Sequence, residues 1–350
     1  MEISEFSMNC PSPLSRHTTI QMAHGGGGRL MRELIEGVFL PAFASSAGAA
    51  RHDSSVVNMN GSRLAFTTDS YVVHPLFFPG GDIGKLAVYG TVNDLAMSGA
   101  RPLYLSASFI LEEGFSLEIL HRVVRSMRDA AKQCAVEIVT GDTKVVDRGK
   151  GDGVFITTAG MGIVESRMEI APRRVQVGDV ILLSGDIGRH GIAIMSAREG
   201  LAFDSLIESD CAPLAATVGR ILDGGMDIHC MRDLTRGGLA SALNEIATDI
   251  GVDIEINDDA IPVHSAVRGA CEILGLDPYY VANEGRFVVF VPQANAADVL
   301  AELKKSDVSK TAVLIGCVTK SGRGAVVVRN SFGLFRLLDL LSGEQLPRIC

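Results

Sequence analysis

What most constrains the fold of this chain is an alternation. Short runs rich in β-branched residues and longer stretches with helical apolar spacing follow one another through both halves of the 350 residues. That switching of period predicts a layered α/β or α+β protein. The spacing predicts helices over 29–39, 83–98, 116–134, 191–198, 212–223, 238–250 and 294–305. Strands are predicted over 64–68, 103–111, 137–140, 154–164, 180–184, 252–256, 286–291 and 311–318. Pro41 and the Ala/Ser/Gly stretch at 42–50 are expected to end the first helix. Pro172, Arg173-Arg174 and Val177-Gly178-Asp179 mark a joint, so the expected division is 21–172 and 173–341. A polar lead-in (1–20, with Pro11 and Pro13) and a polar tail (342–350) flank the two domains.

Charge narrows the function. The formal net charge is -9, and no basic block is present to neutralise nucleic-acid phosphates. No apolar run reaches membrane-spanning length, and the first residues lack the pattern of a secretory signal. Seven cysteines (Cys10, Cys134, Cys211, Cys230, Cys271, Cys317 and Cys350) fall at wide spacings without a CxxC pair. Free thiols in a reducing cytoplasm are the expectation. Cys134 and Cys317 read as small core residues, whereas nothing follows Cys350 to bury it.

Three aspartates carry the first chemical signal. Thr67-Thr68-Asp69-Ser70, Thr91-Val92-Asn93-Asp94 and Arg232-Asp233-Leu234-Thr235-Arg236-Gly237-Gly238 place carboxylates at expected strand or loop ends. Such oxygens, with those of a phosphate, are what Mg²⁺ prefers; each aspartate is equally able to cap the element after it. His24-Gly25-Gly26-Gly27-Gly28 forms a bare-amide loop before a helix, either a phosphate cradle or a flexible linker. It is not a Walker A loop, because the Gly-Lys-Ser/Thr ending is missing. Gly141-Asp142-Thr143-Lys144 puts a cation beyond a strand end. Ala282-Asn283-Glu284-Gly285 puts a carboxylate at the start of a strand. A solvated turn explains either of these last two equally well.

Taken together and in order, the motifs resemble the hydrogenase-maturation carbamoyl dehydratases known as HypE. The resemblance rests on Phe66 to Tyr71, Phe77-Phe78-Pro79-Gly80-Gly81, Gly84-Lys85-Leu86-Ala87, Asn93-Asp94 and Phe109 to Gly114. It continues through Gly141 to Asp147, Arg232 to Gly238 and Ala282 to Gly285, and ends at Pro347-Arg348-Ile349-Cys350. It spans the chain from about residue 20, and the terminal Pro-Arg-Ile-Cys is its most specific part.

The resemblance implies a two-domain PurM-like fold, akin to aminoimidazole ribonucleotide and selenophosphate synthetases. The N-terminal sheets of a homodimer would close into a barrel, and the C-terminal half would be an α/β sandwich with a flexible tail. It further implies ATP and Mg²⁺ in a cleft, with Asp69, Asp94 and Asp233 at the metal. His24, Gly25, Gly26, Gly27, Asn93, Asp142, Thr143 and Lys144 would help to hold the nucleotide. The implied activity is ATP-dependent dehydration of a carbamoyl group on the Cys350 sulfur to a thiocyanate, the source of cyanide for [NiFe] hydrogenase iron. Glu284 would serve as the base, and Lys144 would bind phosphate, polarise the carbamoyl or tune Glu284. A carbamoyltransferase, HypF, would load the thiol, and a HypC–HypD scaffold would accept the cyano group.

From Gly343 to Cys350 an extended chain reaches at most roughly 25 Å, at about 3.3–3.6 Å per residue. Two rival readings are a selenophosphate-synthetase-like phosphorylation of a free small molecule and a non-catalytic carrier. Cys10, fifteen residues ahead of Gly25 in a proline-bearing segment, argues against the first. An ATP site, which a carrier does not need, argues against the second.

Overall fold

The computed structural model describes residues 19–43, 52–166, 168–199 and 206–341. Cys10, Cys350 and the whole polar tail lie outside the described residues. The first helix, α1 (Arg29–Leu34), passes through a π-helical turn at Ile35–Phe39 into α2 (Leu40–Phe43). It therefore runs past its predicted end. Pro41 falls in the first turn of α2, where a missing N–H is tolerated.

The N-terminal sheet is built from β1 (Ser55–Met59), β2 (Ser62–Tyr71), β5 (Ala100–Glu112), β6 (Glu137–Val146) and β7 (Val154–Val164). Its order is β1-β2-β7-β5-β6, with β3 (Phe77–Phe78) and β4 (Gly81–Asp82) forming a separate ribbon. One face is covered by α3 (Ile83–Met97), and α4 (Leu117–Gln133) packs on α3. Asp82 starts α3 as its N-cap, its carboxylate accepting from the N–H groups of Gly84 and Lys85. On α3, Leu86, Val88, Val92 and Leu95 are all fully buried, which is why this helix is apolar nearly all round.

Two expectations change here. Asp69 lies inside β2 rather than at a strand end, and Asp94 stands near the C-terminal end of α3. Gly141–Lys144 likewise continue β6, so the cation is on a strand and not beyond one.

The second sheet has the order β14-β13-β10-β12-β8-β11-β9. Its strands are β8 (Asp179–Leu183), β9 (Cys230–Asp233), β10 (Val252–Asn257), β11 (Phe287–Pro292), β12 (Val313–Ser321), β13 (Val326–Arg329) and β14 (Phe335–Leu337). The helices are α5 (Arg189–Glu199), α6 (Ala215–Asp223), α7 (Gly238–Ile250), α8 (Ser265–Leu274) and α9 (Ala296–Leu303). Alternate residues of β8 and β11 enter two different cores. Ile181, Leu183, Val288 and Phe290 meet α7 through Leu239, Leu243 and Ile246. Val180, Leu182, Phe287, Val289 and Val291 meet α6 and α9 through Val218, Ile221, Val299 and Leu303. Burial on both faces explains why these strands read as unbroken apolar runs. Cys134 and Cys317 are partly buried against their cores, and Cys230 and Cys271 are fully buried. Among the described residues no helix is long and apolar enough to cross a membrane.

Candidate functional site

The site forms where the C-terminal end of β9 meets β2 and α3. A cleft of about 400 Å³ is lined by Gly27, Asp53, Thr67, Asp69, Asp94 and Asp233, with Arg232, Arg236 and residues from the start of α7 around them. Each carboxylate is placed by a different element: Asp69 by β2, Asp94 by α3, Asp233 by the last residue of β9. The three predicted aspartates therefore converge, although they are far apart in sequence.

Hydrogen bonds tie the cluster together. The Thr67 hydroxyl lies 2.8 Å from Asp94 Oδ2 and 3.0 Å from the Asp53 carbonyl oxygen. Thr235 donates to Asp233 Oδ1 at 3.2 Å, and the Asp233 N–H donates to Asp53 Oδ2 at 3.3 Å. Arg232 Nε lies 2.8 Å from Asp53 Oδ1, its guanidinium also pairs with Glu245, and Arg236 Nη2 stands 3.7 Å from Asp69.

Five carboxylates thus face two arginines, and the proton affinities register the excess. Burial, then repulsion from Asp233, Asp53 and Asp69, pushes the Asp94 carboxyl well above the usual carboxylate range. Burial raises Asp53 and Asp233 as well, with Arg232 opposing it in both cases. Asp94 and Asp233 stand close enough for the Asp233 charge to be the largest repulsion on Asp94.

A divalent cation would neutralise that excess of negative charge. Among the described residues no group of three or more His, Cys, Asp or Glu side chains stands ready to hold a metal. Mg²⁺ takes one or two carboxylates directly and completes its octahedron with water and phosphate oxygens. Hard oxygen donors with an unneutralised negative charge are what such an ion takes, and Asp69, Asp94 and Asp233 line the cleft that offers them.

Of the four glycines predicted to cradle phosphate, Gly27 reaches the cleft. It adopts φ +76°, and a Cβ there would stand 2.6 Å from the Arg236 carbonyl group. Ser241 of α7 donates to the Gly27 carbonyl oxygen at 2.7 Å. Gly28 lies against Leu341, whose carbonyl oxygen accepts from the Arg29 N–H at 2.9 Å. Gly238 opens α7 at φ +59°, backed against the Tyr279 and Val281 carbonyls. A Cβ on Gly25 would meet nothing within 4 Å, and one on Gly26 only the Ala23 carbonyl oxygen at 3.8 Å. Gly27→Ala is expected to push the loop off Arg236 and weaken nucleotide binding about tenfold, roughly 1.4 kcal/mol. Titration calorimetry with a non-hydrolysable nucleotide measures it, and unchanged affinity removes Gly27 from the site.

Other predicted residues go elsewhere. His24 is buried at the entry to its loop, where its Nδ1 accepts from the Gln21 N–H at 3.0 Å. Asn93 turns from the aspartates toward the second sheet's domain. Its amide donates to the Ala212 carbonyl oxygen at 3.1 Å and accepts from the Leu214 N–H at 2.8 Å. Asp142 and Lys144 form an exposed ion pair at 2.9 Å on β6, which holds the Asp142 carboxyl below the usual range. The register runs from Asp69 through Thr158 and Ala107 to Gly141. Three strand spacings of about 4.8 Å therefore separate Asp69 from the Gly141–Lys144 segment.

Glu284 does not line this cleft but stands within reach of the charges of Asp233 and Asp69, and its loop is no exposed turn: residues 281–286 are all buried. The Asn283 N–H donates to the Leu234 carbonyl oxygen at 2.9 Å, next to Asp233. Burial, then the carboxylates of Asp233, Asp69 and Asp210, lifts the Glu284 carboxyl well above its ordinary range. A buried carboxyl of raised proton affinity is the kind of group that accepts a proton in catalysis.

Asp53, Arg232 and Glu245 were not foreseen as site residues. Arg232 stood in a motif that drew attention only to its aspartate. Asp53 had no local signal at all, since its role depends on a contact 180 residues away.

The chain matches the family described as AIR synthase related protein, N-terminal domain, over residues 51–164. The corresponding C-terminal domain family matches over residues 176–329. It is 52% identical over 337 residues to the carbamoyl dehydratase HypE of Rhodobacter capsulatus, covering 96% of this chain and 99% of that one. A crystal structure of hydrogenase maturation protein HypE in complex with ATP is 46% identical, with a TM-score of 0.80, covering 95% of this chain and all of that chain. A HypE–HypF complex contains a chain that is 45% identical with a TM-score of 0.84, covering 88% of this chain and 99% of that one. Matched in both halves and half identical over nearly its full length to such a relative, this chain belongs to the carbamoyl dehydratase HypE family.

Proposed function

We propose that the chain uses ATP to dehydrate a carbamoyl group on its own Cys350 to a thiocyanate, as a carbamoyl dehydratase of hydrogenase maturation. The observation that carries this is the position of Leu341. Its hydrogen bond to Arg29 seats the root of the C-terminal tail beside the glycine loop, at the edge of the carboxylate cleft. The relative solved with ATP supports a nucleotide there.

The chemistry divides into two proton losses. The carbamoyl oxygen takes the γ-phosphoryl group as ADP leaves, and one nitrogen proton is released. The remaining N–H proton then goes to Glu284 as the C–O bond breaks, phosphate departs and S–C≡N remains. Asp69, Asp94 and Asp233 would hold Mg²⁺, which supplies charge neutralisation of the phosphates. Arg236 and the Gly27 loop orient them.

The exposed face of the N-terminal sheet supports a homodimer. Phe66, Met161 and Tyr104 are paired across three strands and all exposed, and β6 is an edge strand. Such an uncovered apolar row marks an interface, and a second copy closing over it would form the barrel. It would also bring Asp142, Thr143 and Lys144 of one copy toward the cleft of the other. A HypF-type carbamoyltransferase is the donor by analogy with the solved complex. A HypC–HypD pair is the acceptor, and the reducing cytoplasm the compartment. We take 21–172 and 173–341 as the two domains, with 1–20 and 342–350 as flanks.

The test is to incubate protein carbamoylated on Cys350 with Mg-ATP and follow intact mass and phosphate. Loss of one water per ATP cleaved is expected; ATP cleavage without it overturns the proposal. Glu284→Gln should bind ATP normally yet form thiocyanate about 10²–10⁴-fold more slowly, the usual range for losing a general base. Undiminished product formation removes Glu284 from that role.

A further inference from the structure

We infer that Asp210 is a positioning residue for Glu284, its carboxylate clamping the main chain that carries the base. The inference rests on the reading of Glu284 as the proton acceptor.

The geometry is local and specific. Asp210 is buried, and both its oxygens are engaged by backbone N–H groups. Oδ1 accepts from His190 at 3.0 Å, while Oδ2 accepts from Glu284 at 3.2 Å and Gly285 at 2.9 Å. One carboxylate therefore joins the first turn of α5 to the two residues at the base. The segments touch as main chain: a Cβ on Gly285 would stand 2.0 Å from the Asp210 carbonyl oxygen. The Ala212 N–H closes the link by donating to the Glu284 carbonyl oxygen at 3.4 Å. Ser209 holds the Asp210 loop from the other side. Its hydroxyl accepts from the Cys211 N–H at 3.0 Å and lies 2.8 Å from His190 Nδ1.

The physical reason for the clamp is how Glu284 is held. Its side chain is buried. A buried side chain takes its position from the backbone beneath it. Asn283 fixes that backbone on one side, accepting from the Gly188 N–H at 2.7 Å and donating to the Leu234 carbonyl oxygen at 3.1 Å. Asp210 fixes it at Glu284 itself. A carboxylate suits this task, because it accepts several N–H bonds and donates none.

The test uses the full-length chain, carbamoylated on Cys350, in single turnover with Mg-ATP. Asp210→Asn exchanges one acceptor oxygen for an amide that cannot accept. Thiocyanate formation should slow about 10²-fold, the effect expected of a misplacement near 1 Å, with ATP affinity within about twofold of wild type. A merely structural defect would move both. The double variant Asp210→Asn with Glu284→Gln should be no slower than Glu284→Gln alone, because both changes remove the same function. Multiplying effects overturn the inference, as does a wild-type rate for Asp210→Asn when Glu284→Gln is slow. If Glu284→Gln itself runs at the wild-type rate, the assignment of the base fails first and takes this inference with it. Should Asp210→Asn fail to fold, Asp210→Glu keeps both oxygens and moves them by one methylene. It should then slow the reaction about tenfold at unchanged ATP affinity, and a wild-type rate overturns the inference.

Discussion

Replacing Cys350 with alanine is expected to abolish thiocyanate formation while leaving ATP affinity within about twofold of wild type, a change below roughly 0.5 kcal/mol. The asymmetry follows from the two jobs being in different places. The nucleotide would be held by Gly27, Arg236 and the aspartates, which line the cleft together. The sulfur, by contrast, only tethers the group being dehydrated. The segment before the tail is anchored at several points: Asn244 donates to the Leu338 carbonyl oxygen at 2.9 Å, Tyr280 to that of Asp339 at 2.8 Å, and Arg29 pairs with Asp339 at 3.0 Å. From Leu341 the nine residues to Cys350 span at most about 30 Å when extended. That reach serves both the cleft and an external donor. Intact mass spectrometry after carbamoylation and Mg-ATP, with calorimetry for the nucleotide, reads both outcomes. Retained dehydration of a carbamoyl group in Cys350→Ala would overturn the self-modifying reading, and lost ATP affinity would overturn the division of labour.

The second large effect is expected at Asp94, and it has two opposite signs. With Mg-ATP, Asp94→Asn should slow turnover by about 10²–10³-fold, the several kcal/mol a metal contributes to phosphoryl transfer. Without divalent cations the same variant should be more stable than wild type at pH 8. In the folded chain the proton affinities of Asp94, Asp53, Asp233 and Glu284 are all raised. Such groups bind more protons folded than unfolded at every pH above about 4, the unfolded value. Stability of the metal-free chain therefore falls as pH climbs through that window toward the raised values. The amide that Asp94→Asn introduces would still accept from Thr67 but would carry no charge, so part of this loss disappears. A gain of about 1 kcal/mol, or roughly 2–4 °C in Tm for domains of 150–250 residues, is the size to expect. Thermal melts at pH 6 and pH 8, with and without Mg²⁺, measure it. A metal-free variant less stable than wild type at pH 8 would show that repulsion among these carboxylates is not the controlling term.

Much of the fold was legible because periodicity is a local property. The helix over 83–98 and the strand over 154–164 appear where their apolar spacing places them, since a helix face or strand face must be buried in register with its own repeat. The misses are where tertiary contacts overrule the local signal. Gly141 to Lys144 reads as a turn, yet β6 continues through it because β5 offers a parallel partner as far as Val146. Ala282 to Gly285 reads as an exposed turn, yet Asp210 and the main chain of Gly191, Ala212 and Leu234 satisfy its backbone from within and allow it to be buried. Asp53 and Arg232 carry no chemical pattern in sequence.

By itself the sequence determined the alternating layers, the acidic non-nucleic-acid character, and the identities of Asp69, Asp94, Asp233, Glu284 and Cys350 as chemical groups. Composition and spacing carry the layers and the charge residue by residue, and the resemblance in motif order singles out the five groups. Only the tertiary structure decided which of these groups meet. It brought three aspartates and Glu284 together, turned Asn93 toward 212–214, left Lys144 on an exposed edge, and rooted the tail at the glycine loop. Convergence is a matter of strand order and register across more than a hundred residues, and no local pattern encodes a distance.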